Sequence, residues 1–164
     1  MDAQEIRDPA HLMRTELAGA FGKRFSLEII TAKPKPPPPR QFTANTYSGN
    51  PLPRPQAETF DEPSKNGGPT PDLALDVRTT KWGIVGTRWG HYAIDYAATL
   101  TLTDLRSGKV LAEGICDGAP LDDPKNPTLD ELTQAGPEKL RAMVNDAGTF
   151  CYEDFRQRVL GLVN

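Results

Sequence analysis

The residue types that perform chemistry are sparse in this chain and spaced badly for it. A histidine works as a general base or metal ligand only with a partner in reach. Of the two histidines, His11 opens a helical pattern and His91 opens a strand pattern beside a turn, so both read as solvated side chains. No serine stands in G-x-S-x-G, and no glycine-rich loop leads into a helix to cradle phosphate, since Gly67 and Gly68 sit in a proline-rich stretch. Asp117, Asp122 and Asp123, in DGAPLDDPKN, superficially suggest a calcium loop. The alternating oxygen ligands, the mid-loop glycine and the closing glutamate that such a loop needs are missing. Asp95, set among Ala and Thr, reads as an outward, wet carboxylate. The sequence therefore predicts no catalytic residue, no metal site and no cofactor.

Cys116 and Cys151 stand 35 residues apart, which fits neither a CxxC redox pair nor a zinc site. Two readings remain. They are buried free thiols acting as small hydrophobes, or they meet across facing elements as a structural disulfide. The second is favoured, because Cys116 ends a strand and Cys151 lies on the apolar stripe of the last helix. Such a bridge adds roughly 3 kcal/mol in the chain-entropy picture and implies an oxidising compartment.

The remaining candidates are Trp82, Arg88, Trp89 and Tyr92, grouped around one turn, GTRWGH. Trp and Arg are enriched at binding hot spots. Aromatics at hairpin ends also cap cores, and that reading competes for each of the four. Trp89, between Arg88 and Gly90, is the strongest candidate for a residue exposed in order to bind.

The elements that position these residues follow from periodicity. Asp8 and Pro9 are start signals for a helix whose stripe is Met13, Leu17, Ala20 and Phe21, with Gly22 as its stop. FSLEII, residues 25–30, alternates as a short strand. From residue 72, Leu73, Leu75, Val77 and Thr79 alternate towards Trp82 and Ile84. Tyr92, Ile94, Tyr96, Ala98, Leu100 and Leu102 then predict a strand with one dry and one wet face. DLRSG turns it back into residues 109–116. Thr128 caps a short helical turn, and Pro137 opens a helix whose stripe, Leu140, Val144, Ala147, Cys151, Phe155, Val159 and Leu162, runs to the end. The expected fold is α+β, with about four antiparallel strands against an N-terminal and a long C-terminal helix. One domain is expected over residues 1–164.

Residues 33–71 form a proline-rich loop or insertion with 11 of the 16 prolines. KPKPPPPR, residues 33–40, favours polyproline II and reads as a stiff connector or a PxxP-type ligand. Net charge is −3 without a basic stripe, which argues against nucleic-acid binding. No apolar run is long enough to span a membrane, and the opening MDAQEIRDPAHL holds no signal-peptide core. A homo-oligomer through an edge strand is open.

Over residues 9–32 and 72–162 the order of elements, with PDLALDV, a strand ending in L-T-D, a turn and G-K-V-L-A-E-G, is similar to the small α/β domains of Gram-negative envelope proteins. These include the amino-terminal domain of the Tol-system translocation protein and outer-membrane lipoproteins. The proline-rich insertion departs from that pattern, and the lipidated cysteine of such lipoproteins is absent from this sequence. The resemblance implies a non-enzymatic periplasmic or outer-membrane-anchored accessory protein that binds another envelope component. The alternative is a cytoplasmic interaction domain that presents residues 33–40 as its ligand.

Overall fold

The computed structural model describes residues 8–30 and 71–163; the polyproline reading at residues 33–40 lies outside the described residues. The order is α1 (Pro9–Phe25), β1 (Leu73–Gly86), β2 (Tyr92–Asp104), β3 (Lys109–Cys116), α2 (Leu129–Ala135) and α3 (Pro137–Asp154), with a π-turn at Phe155–Val159. The fold is α+β around a three-stranded antiparallel sheet, β1-β2-β3.

The expected fourth strand at residues 25–30 is not there. Helix α1 runs through Gly22 to Phe25, and Ser26 ends it in the left-handed region at φ 55°. The Leu27 N–H then closes on the Gly22 carbonyl at 2.8 Å, a Schellman-type stop. Gly22 is not the stop; it lies under the returning chain, where a Cβ would come 2.5 Å from the tip of the Ile29 side chain. The alternation in FSLEII does not sort the segment by burial: residues 25–30 are all exposed, and the chain folds back on its own helix.

The sheet keeps one dry face by a bulge. Leu73, Leu75, Val77 and Thr79 of β1 share a face with Asp104, Leu102, Leu100 and Ala98 of β2. Trp82 and Ile84 have the opposite parity, so an extra residue must intervene. The register shifts between Thr79 and Lys81, leaving Thr80 as that residue, and Trp82 and Ile84 rejoin the face of Tyr96 and Ile94.

Helices α1 and α3 lie side by side on this face, α1 over β1 and α3 over β2. Met13 and Leu17 from α1, Val77, Tyr96 and Leu100 from the sheet, Val144 and Cys151 from α3, and Phe155 from the π-turn are buried together. Each apolar side chain so buried contributes about 1.5–3 kcal/mol. The opposite face is drier than expected around the middle of β2. Ala93 and Ala97 are buried. Asp95 is largely covered too, its carboxylate held by Lys81 Nζ at 2.6 Å, so it is not the wet residue the alternation suggests.

The final helix also departs from its periodic reading. After Asp154 the chain widens into the π-turn, closed by the Leu160 N–H on the Phe155 carbonyl at 2.9 Å. Leu162 is buried but lies beyond the helix, because the wider turn lets Leu160 and Leu162 both fold back on the core. Among the described residues no helix is long and apolar enough to cross a membrane.

Candidate functional site

The β1–β2 connection is a short, tied turn. The Thr87 N–H donates to the His91 carbonyl at 2.7 Å, and the His91 N–H to the Arg88 carbonyl at 3.4 Å. Closing so few residues forces positive φ at Trp89 (64°) and Gly90 (73°). Glycine takes that conformation freely, whereas an L side chain pays about 1–2 kcal/mol. Trp89 accepts this cost while 92% exposed, so its indole returns almost no burial.

Residues 117–128 brace this turn. They run past the open edge of β2, where the Tyr92 N–H donates to the Pro127 carbonyl at 2.8 Å and His91 bridges to Thr128. His91 Nδ1 donates to the Asn126 carbonyl, so His91 is a clamp and not the solvated edge residue its position suggests. The Asn126 side chain in turn donates to the Leu121 carbonyl at 2.5 Å. Arg88 approaches Asp122 at 3.9 Å with both side chains largely exposed, which contributes little. Thr128 and Glu131 then form a capping box that starts α2. The Thr128 hydrogen bonds hold the Glu131 carboxyl below the usual carboxylate range.

The four sequence candidates therefore divide. Arg88 and Trp89 stand in the turn and face solvent. Trp82 pairs with Tyr96 on the face turned to the helices and packs against the core. Tyr92 is half-buried opposite Gly86, at the last pair of the ladder. The turn, the clamp and α2 leave Leu129 exposed beside this end, because the His91–Thr128 bridge sets it next to Gly90. Leu129 escapes periodicity, since α2 has only 7 residues; the Asn126-Pro127 turn signal was the available clue to the clamp.

Cys116 and Cys151 are joined by a disulfide, with Cα atoms 5.6 Å apart. Both are buried, so the bridge ties β3 to α3 from inside the core. A second tie is polar. Asp8 accepts the Ala10 N–H at 2.9 Å as N-cap of α1, and its same oxygen accepts the Thr79 hydroxyl at 2.5 Å. Thr79 has then spent its proton, so the Tyr96 hydroxyl donates to it at 3.0 Å. Burial holds the Tyr96 phenol well above its usual range; the Thr79 hydrogen bond opposes this, and the nearby Asp8 charge reinforces it.

Among the described residues no group of three or more His, Cys, Asp or Glu side chains is placed to hold a metal ion. Asp117, Asp122 and Asp123 do not converge in such a group; Asp123 accepts the Lys125 N–H at 2.9 Å and closes a local turn. No protein-family model matches the chain, and no curated protein and no solved structure is significantly similar to it.

Proposed function

We propose that this protein is a binding domain of the bacterial cell envelope, acting through contact with another envelope protein and not through catalysis. The observation that carries the reading is Trp89. An aromatic side chain held at positive φ, 92% exposed, on a turn braced by a separate loop costs stability without burying anything in its own fold. Exposed Trp beside exposed Arg is the composition of a hot spot, and a braced turn loses little entropy when it docks. The envelope assignment is supported by the Cys116–Cys151 bridge, which suits an oxidising compartment, and by the resemblance in element order over residues 72–162 alone.

The test uses purified full-length protein as bait against an envelope extract, with bound proteins identified by mass. Wild type retains a specific partner, and Trp89→Ala with Arg88→Ala releases it while thermal unfolding is unchanged. Equal retention by wild type and the double variant removes the turn from the proposal. Alkylation of protein from its native compartment, with and without reductant, tests the location. Thiols blocked until reduction support export, and thiols free after unfolding alone favour the cytoplasmic alternative.

A further inference from the structure

The two edges of the sheet are finished differently. On β3, Arg158 Nη2 donates to the Ile115 carbonyl at 2.7 Å, Val159 lies against Gly114, and a register shift at Leu111 breaks the line of backbone groups. Bulges and inserted charges are how proteins close an edge to further pairing. On β1 the bulge at Thr80 interrupts only the far half. Residues 73–79 form a regular stretch, and among the described residues no strand pairs with its outer edge.

The hydrogen-bond phase of that edge follows from one contact. The Leu105 N–H donates to the Asp72 carbonyl at 2.8 Å, which makes Asp72 and Leu105 a hydrogen-bonded pair. Alternation then turns the backbone groups of Ala74, Asp76 and Arg78 towards β2, and those of Leu73, Leu75, Val77 and Thr79 outwards. Asp76 and Arg78 flank Val77 symmetrically on the open face of the sheet, where they pair within the chain at 2.5 Å with Arg78 62% exposed.

We propose that a second copy of this chain docks on residues 73–79 of β1, antiparallel about a two-fold axis through Val77, to join two three-stranded sheets into one. In that register Val77 faces Val77 and Leu75 faces Thr79 in hydrogen-bonded pairs. Asp76 of each copy faces Arg78 of the other in the closely spaced pairs between them. Moving the axis by one residue sets Asp76 against Asp76 or Arg78 against Arg78, so the charges select the register. Isologous contacts of this kind close as dimers. The inference stands apart from the Trp89 turn, which lies beyond the Thr80 bulge.

Sedimentation velocity of the full chain over a concentration series tests it. Wild type moves to twice the 18.0 kDa chain mass as concentration rises. Asp76→Arg and Arg78→Asp, each alone, put like charges opposite one another and weaken the dimer by roughly tenfold or more. An equimolar mixture of the two variants restores it, because each then offers the other only opposite charges. Circular dichroism of each variant confirms the fold, and the mixture controls for variants that are merely less stable. A wild-type monomer at all concentrations, a dimer indifferent to either substitution, or a mixture that stays monomeric overturns the proposal.

Discussion

The Tyr96 hydroxyl shows how a single buried polar group constrains this core. It donates to Thr79, which donates to Asp8, so removing it strips one hydrogen bond from a chain that fastens α1 to the sheet. Tyr96→Phe is expected to cost about 1 kcal/mol near neutral pH, measured by urea unfolding. The pH dependence has a definite sign. The folded state raises the phenol pKa above its unfolded value near 10. The stabilisation is complete below that value and is lost as pH rises above it, by up to about 1.4 kcal/mol per unit. Urea midpoints of wild type should therefore fall more steeply above pH 10 than those of Tyr96→Phe; parallel curves would contradict this. Trp89 predicts the opposite kind of effect. With 92% of its surface exposed there is no packing to lose, and Trp89→Gly removes the left-handed strain. Stability should rise by about 1 kcal/mol in the same assay while partner retention falls.

Among the elements, the π-turn and β3 depend on each other. Arg158 reaches across to the Ile115 carbonyl and also pairs with Asp154 at 2.6 Å. Its hydrogen bond holds the Asp154 carboxyl below the ordinary range, so this contribution is present above the unfolded carboxylate pKa and fades as pH falls through the folded one. Arg158→Ala should flatten that acid limb at little direct cost in stability, because the pair is partly exposed. Gly114→Ala should cost more, since a Cβ there collides with Val159 and the close approach of the π-turn is lost. Roughly 2 kcal/mol is expected from thermal unfolding, within the range for overpacking. Replacing Cys116 and Cys151 by Ala removes the bridge over a 35-residue separation, and a loss of about 3–4 kcal/mol is expected in the same measurement.

At the scale of the whole molecule, α1 and α3 form one layer on one face of the sheet, and among the described residues the other face is left open only along the second half of β2. Thr99, Thr101 and Thr103 of β2 share that open face with Arg78, Asp76 and Ala74 of β1. An antiparallel sheet tolerates one solvated face, so this is a stable arrangement for a lone chain, and the consequence for association lies at the edges. Hydrogen exchange would show it directly. Amides of Leu75, Val77 and Thr79 should gain protection as concentration rises, while the β3 edge, already engaged by Arg158, should not change.

Local order alone decided the class of this protein and most of its elements. Strict alternation from Tyr92 to Leu102 fixed β2 and its dry face, because a period of two has no other explanation, and the stripe from Leu140 to Cys151 fixed α3. The cysteine pair was legible as two residues on facing elements, although only packing could bring their Cα atoms to 5.6 Å. Tertiary structure decided the rest. Residues 25–30 alternate like a strand, yet Ile29 is drawn back onto Gly22, and no local pattern records a contact made by an absent side chain. The Thr80 bulge reversed the parity of β1, the His91–Asn126 clamp made a turn into a brace, and Asp95 found Lys81. Each depends on which residues meet across strands and loops, and periodicity along one chain carries no information about the neighbour it will face.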